Sequence, residues 1–374
     1  MKDIMAIIFA YQRNEGLTDL TLKRSLASVP FGGRYRMIDF SLSNLVNSGV
    51  SEVGVITQHN YHSLMDHLGS GKEWDLSRKR DGLFILPPFI SGQSSPSMLY
   101  RGKLDALSAA MAFIRRSSSK YVILTESDTV CNMSFDGALQ FHQEKQADIT
   151  AVYCKCNMDD ENYTQNSYLS VDEDGRVNDI VIKPRLHRYD KRLMEMYIIK
   201  RELIEYLVME AMALNLSNFR RDILQSKHSE LKVYGYEFKG FNAKINSVKA
   251  LFDANMRILD SDTRQELFSQ RRPIYTKIRD EVPTYYGPTS NVKNSCLVDG
   301  CIIEGEIENC ILSRGVKIGK GAIVKNSIIM QGTEVMDGAF VANVIADKDC
   351  IIHEGKTLVG CQSYPVVLRK NSVV

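Results

Sequence analysis

The sequence has no charge excess of either sign: Lys plus Arg is 47 against 45 for Asp plus Glu, a net charge of +2. That removes any global drive toward nucleic acid or an anionic membrane. It has no hydrophobic run of membrane-spanning length; Met5-Ala6-Ile7-Ile8-Phe9-Ala10 is only strand-length. It lacks the charged, apolar and cleavage regions of a secretory leader. The eight cysteines, without secretory features, are therefore expected as reduced thiols in a cytoplasm. Cys154 and Cys156 are two apart, but no second pair completes a zinc site, so both read as strand residues. What is present is an ordinary globular balance, 44% hydrophobic and 25% charged, which excludes a disordered tail, a collagen and a small secreted scaffold. At 374 residues the chain can bury ample core, and its length suggests two domains.

Two regions differ in periodicity. Residues 1–260 alternate short apolar strands (Ala6–Ala10, Val53–Thr57, Tyr121–Thr125, Ile149–Cys154) with amphipathic stretches such as Leu104, Leu107, Met111 and Ile114. Ile38, Leu42, Leu45 and Val46 have helical spacing too. Strand and helix in alternation predict an α/β domain with a mostly parallel sheet, whose ligands sit at the carboxyl ends of the strands. From residue 288 to 374 the pattern changes. Leu312, Ile318, Val324, Met330 and Met336 recur every six residues with glycines between them, which predicts a left-handed parallel β-helix. Such coils cover one another only by stacking. Residues 261–287, with Arg271-Arg272-Pro273 and Gly287-Pro288, read as the linker.

The segment Val29-Pro30-Phe31-Gly32-Gly33-Arg34-Tyr35-Arg36-Met37-Ile38-Asp39-Phe40 resembles the glucose-1-phosphate adenylyltransferases (ADP-glucose pyrophosphorylases). The likeness continues through Ser41–Asn44, Asn47–Gly49, Thr57-Gln58, Ser63-Leu64, His67–Gly69, Tyr100–Gly102 and Asp253–Met256. It reaches Ile302–Gly305 and Gly319–Ala322 and so spans nearly the whole chain. The resemblance implies a nucleotidyltransferase domain followed by a β-helix. It also implies the conversion of ATP and glucose 1-phosphate to ADP-glucose and diphosphate in bacterial glycogen synthesis.

That reaction depends on positioning and charge neutralisation around a polyphosphate. Aligned with the family, this chain departs where the triphosphate and metal belong. The glycines of the family's Gly-Gly-x-Gly-x-Arg-Leu loop are replaced by Tyr11, Gln12 and Asn14, and its arginine by Gly16. Side chains at such positions restrict φ and block close backbone approach to phosphate. Glu15 adds a repelling charge. The lysine of Arg-Ala-Lys-Pro becomes Leu26. Of the two family aspartates that hold Mg²⁺, Asp128 is retained and the other is Lys244, which cannot ligate a cation. Alone, Asp128 is a weak metal position, and it serves equally as a loop-start cap. Gly102 and Asp105 survive from the base-recognition loop, and Lys183 from the sugar-phosphate motif. Lys183 can meet a phosphate as a point charge or be a solvated strand-end lysine.

Framework motifs are intact while the chemistry is lost, a pattern that resembles the family's regulatory D-type subunits in Gram-positive bacteria. The resemblance then implies a non-catalytic or weakly active subunit paired with a catalytic partner in a hetero-tetramer. It needs Mg²⁺ only if active, and a sugar phosphate or nucleotide is a possible effector. The alternative is an active adenylyltransferase with an unusual site. A β-helix acyltransferase is disfavoured, since His353 is the only histidine in residues 288–374 and the first domain would be unexplained. Arg24, Arg34 and Arg36 cluster near the N-terminal motif, where pairing with acids on a solvated face would account for them.

Overall fold

A computed structural model describes residues 3–11, 15–88, 100–156 and 163–374. The chain forms two compact units, the first from residues 1–11, 40–61 and 68–242, the second from 12–39, 62–67 and 243–374.

The first unit is built on a nine-stranded sheet. Its centre is four parallel strands in the order Tyr121–Glu126, Ile4–Phe9, Glu52–Ile56, Gly82–Leu86. Ile4–Phe9 is buried along its whole length, as expected for a parallel strand covered on both faces. Lys191–Lys200 extends the sheet antiparallel to Tyr121–Glu126 and also pairs with Ile149–Lys155. Helices Lys103–Ala109 and Met111–Arg116 follow the apolar spacing of the sequence, interrupted at Ala110, and bury Leu104, Leu107, Met111 and Ile114. Cys154 lies in the strand Ile149–Lys155 and Cys156 directly after it; all eight cysteines are free thiols.

The second unit carries the β-helix: three parallel five-stranded sheets whose first strands are Tyr285–Tyr286, Asn291–Lys293 and Cys296–Leu297. Leu312, Ile318 and Val324 point into the bore as the six-residue repeat predicts. Beyond them the column slips by one. Ile329 and Val335 enter the core cluster, and Met336 is half-buried. The cause is a shorter corner between Ile323–Lys325 and Ile328–Ile329. An asparagine occupies that corner in successive coils. Asn294, Asn309, Asn326 and Asn343 all have positive φ, a region asparagine tolerates better than most residues. Their amides form a ladder: Asn294 Nδ2 donates to Asn309 Oδ1 at 2.7 Å and Asn309 Nδ2 to Asn326 Oδ1 at 3.2 Å. Asn343 Nδ2 donates to the Gly360 carbonyl at 3.2 Å. Replacing Asn343 by alanine loses that bond and strains φ, an expected cost of about 1–2 kcal/mol in urea unfolding. Asn343→Gly is expected to cost less, because glycine accepts the backbone conformation. Equal losses would exclude strain as a contributor.

The motif Pro30–Arg36 is a hairpin of the second unit, with Pro30–Phe31 pairing antiparallel to Tyr35–Arg36. Gly32 and Gly33 make its turn at φ 60° and 73°. A Cβ on Gly33 would come within 2.9 Å of the Val298 side chain and 3.1 Å of the Leu312 carbonyl. The glycine pair therefore lets the hairpin lie flat against the first coils of the β-helix.

Candidate functional site

In the first unit, the carboxyl ends of the central strands are occupied by the protein's own side chains. The Lys103 Nζ, at the start of its helix, lies 2.5 Å from Glu126 Oε1 and 2.6 Å from Glu195 Oε2. Glu126 ends the strand Tyr121–Glu126. Glu195 also pairs with Arg220 at 3.1 Å and accepts from the Tyr197 hydroxyl at 3.0 Å. Burial disfavours the Lys103 ammonium, but Glu126 and Glu195 outweigh it and hold its pKa above the ordinary lysine value. Glu195 raises Arg220 well above its usual range, with Glu126 and Asp128 adding to the effect. Two cations and two carboxylates thus neutralise one another inside the cleft.

Tyr11 stands at the mouth of this region, edge-on to Phe9 and 5.4 Å from the Tyr100 ring centroid. Burial, with Glu126 nearby, pushes its phenol pKa up, so it stays neutral. Gln12 and Asn14 lie outside the described residues. Gly16 sits in the short 3-10 turn Glu15–Leu17, and Leu26 is buried in the turn Leu26–Ser28, both in the second unit. Gly102 is a packing requirement: a Cβ there would meet the Ser217 carbonyl oxygen at 2.2 Å. Asp105 is held by the Arg101 guanidinium at 2.8 and 3.0 Å and by the Arg101 backbone N–H at 3.0 Å. Asp128 is buried and accepts from Thr129 Oγ1 at 3.0 Å. Lys183 is exposed at φ 51°, its backbone N–H donating to the Asn166 carbonyl. Lys244 is half-buried at the end of the strand Asn242–Lys244, in the second unit. Among the described residues no three His, Cys, Asp or Glu side chains come together as a metal site.

The second unit holds a different constellation. A pocket is lined by Arg34, Arg36, Lys277, Arg279, Arg314 and Lys348, with His67, Gln331, Ser313 and Tyr35 beside them. None of its described lining residues is a carboxylate. Arg36 is buried and anchored: its guanidinium donates to the Ser63 carbonyl at 2.6 Å and to Ser63 Oγ at 3.0 Å. Arg314 is buried, and its Nε–H has no partner among the described residues. The cations strain one another. Burial lowers Arg314, and Arg34 and Arg279 lower it further. Burial lowers Arg36 to about 10 despite Asp39. Burial, followed by Arg36 and Arg24, pulls Lys348 down to about 7. An adjoining cavity of about 290 Å³ shares Lys348 and is lined by Leu20, Leu22, Arg24, Arg369 and Lys370 among others. Arg24 is buried there and paired with Asp347 at 2.6 Å. Lys277 pairs with Asp66 at 3.6 Å and Arg369 with Asp19 at 2.6 Å, while the guanidinium groups of Arg34, Arg279 and Arg314 make the lining suited to an anion.

Sequence reasoning noticed Arg24, Arg34 and Arg36 and offered pairing with acids on a solvated face as a sufficient account; Arg24 does pair with Asp347 and Arg34 is exposed, but Arg24 and Arg36 are buried. It missed Lys277, Arg279, Arg314 and Lys348, which are scattered through the linker and the coils. It also missed the pairing of Lys103 with Glu195, separated by 92 residues. No local pattern carries either grouping.

Residues 6–261 match the nucleotidyl transferase family, and residues 282–364 match the GlmU-like C-terminal hexapeptide family. The chain is 38% identical to "Glycogen biosynthesis protein GlgD" of Bacillus subtilis, over 99% of this chain and 96% of that protein. It is 38% identical to the protein of the same name from Geobacillus stearothermophilus, over 86% of this chain and 82% of that protein. It is 32% identical to a glucose-1-phosphate adenylyltransferase of Clostridium novyi, over 86% of this chain and 84% of that protein. No helix among the described residues is long and apolar enough to cross a membrane. With its parallel strand block, its hexapeptide coils and this spread of relatives, the chain belongs to the nucleotidyl transferase family, alongside the GlgD proteins and glucose-1-phosphate adenylyltransferases.

Proposed function

We propose that this protein is a non-catalytic or weakly active regulatory subunit of an ADP-glucose pyrophosphorylase in glycogen biosynthesis. It would join a catalytic adenylyltransferase subunit, in a hetero-tetramer, and respond to an anionic effector. The observation that carries this reading is the cationic pocket of the second unit, where four arginines and two lysines line one space without a carboxylate. Arg36 and Arg314 are buried in it, the Arg314 Nε–H without a partner among the described residues, and a buried cation gains from an anion that meets its open donors. A sugar phosphate or a nucleotide supplies such an anion.

The catalytic positions support the same reading. Tyr11, Leu26 and Lys244 stand where the family pattern calls for a loop glycine, a lysine and a metal-binding aspartate. The donor set does not fit Mg²⁺, since Asp128 is the single carboxylate kept at the family's metal positions and no three His, Cys, Asp or Glu side chains come together among the described residues. The retained Asp128 and Lys183 favour a second reading, a working glucose-1-phosphate adenylyltransferase.

Assaying the purified chain with Mg²⁺, ATP and glucose 1-phosphate separates the two. Turnover is expected well below about 1 s⁻¹, the low end for typical enzymes, and a higher rate overturns the regulatory reading. Mixing with a catalytic adenylyltransferase from the same organism is expected to bring both chains into one species of higher mass, read by size-exclusion with light scattering. Independent elution would remove the partner.

A further inference from the structure

Glu195 has φ 59°, in the left-handed region, although it is a non-glycine residue within a strand. It is buried, and the pairing between Lys191–Lys200 and Ile149–Lys155 shifts register between Leu193 and Met196. A long acidic side chain in such a conformation persists only when its surroundings over-determine it. The surroundings here are Lys103, Arg220 and Tyr197, all within hydrogen-bond distance of its carboxylate. The strained bulge therefore has one structural product, a carboxylate delivered into the strand-end cleft of the first unit.

What it meets there is equally purposeful. Lys103 stands at the start of the helix Lys103–Ala109, and its ammonium sits 5.6 Å from both the Phe9 and Tyr197 ring centroids. Phe9 ends the central strand and Glu126 its neighbour, in direct register. These strand ends are where an open α/β sheet receives its ligand. The four charged groups sum to zero and satisfy one another, and the Glu195 side chain takes up space among the strand ends.

We propose that Lys103 and Glu195 form an internal plug that closes the strand-end cleft of the first unit to nucleotides, and that removing Glu195 reopens it. The proposal rests on the non-catalytic reading and adds a cause: the cleft is closed by two side chains rather than by loss of the fold around it. Glycine at position 195 accepts the observed φ without strain, vacates the carboxylate's volume and releases Arg220 and Lys103 toward an incoming phosphate.

The test is calorimetric titration of the full-length chain with ADP, in EDTA, against Glu195→Gly and the double variant Lys103→Ala/Glu195→Gly. Because ADP can also enter the cationic pocket of the second unit, every titration is run in a background of Arg279→Ala/Arg314→Ala. The expected result is no resolvable binding with Glu195 present and at least tenfold tighter binding in one or both opened variants. Retained cooperative unfolding and circular dichroism show which variants are folded. Absence of ADP binding in every folded variant overturns the plug, and so does equal binding with Glu195 present. If neither opened variant folds, Glu195→Gln keeps the volume and removes the charge; equal ADP affinity to the parent is then expected, and a gain overturns the plug as a matter of volume. Turnover by the unmodified chain alone is a separate outcome: it defeats the regulatory reading, whereas a silent parent with silent variants defeats only the plug.

Discussion

Asp39→Ala is expected to lower the unfolding free energy by about 3–5 kcal/mol, the range for breaking a buried polar pair by removing one partner. Asp39 is 0% exposed. One oxygen accepts from the Arg36 backbone N–H at 2.9 Å and the other lies 2.5 Å from His67 Nε2. The first contact is a capping interaction at the start of the helix Met37–Asn47, with an acidic third residue reaching back to the N–H before the helix. The second ties the segment 62–67 to the same turn within the second unit. Alanine removes the acceptor that both buried donors share. For a unit of this size the melting temperature should fall by about 10 °C. Asp39→Asn keeps one acceptor oxygen and is expected to cost less than half as much. Thermal and urea unfolding measure both, and equal losses for the two variants would show that charge, not acceptor count, holds the turn.

Much of this architecture was legible from the amino acids. The strands around Ala6, Val53, Tyr121 and Ile149 lie within one or two residues of their expected bounds, because largely buried strands announce themselves as short apolar runs. The β-helix was legible from its six-residue column, and the slip after Val324 was not, because a corner shortened by one residue leaves no mark in an apolar count. The departures at Tyr11, Leu26 and Lys244 could be proposed from the family's motifs, since a loop glycine or a ligating aspartate has few substitutes. The two charge constellations could not. Lys103, Glu126, Glu195 and Arg220 look like four ordinary charges until the sheet sets them side by side. Arg314 and Lys348 each resemble a surface residue of a solenoid, and only the stacking of coils aligns them. Pairwise charge logic spans long sequence distances, whereas periodicity and motif spacing are local.

Arg279→Ala combined with Arg314→Ala is expected to weaken sulfate binding to the second unit by about 10²–10⁴-fold. Each arginine contributes a charge-assisted hydrogen bond of about 1.5–3 kcal/mol, and about 1.4 kcal/mol is a factor of ten. Sulfate is the right probe because its charge does not change across neutral pH, so any pH dependence belongs to the protein. That dependence is set by Lys348, which faces Arg24, Arg36 and Arg279 as well as Asp347. Its ammonium is lost as pH rises through about 7, because burial and the neighbouring guanidinium groups oppose it. A bound dianion restores the proton, so binding should take up protons above neutrality and weaken as pH rises. The unliganded protein moves the other way. The unfolded chain keeps the Lys348 proton up to its ordinary value of 10.5, so this group makes the fold more stable as pH climbs from about 7 toward 10.5. Calorimetry in buffers of different ionisation enthalpy reads the proton uptake, and Lys348→Met should flatten it. Sulfate affinity that stays constant from pH 6 to 9 in the unmodified chain would mean that Lys348 does not reach the anion, and that the arginines alone hold it.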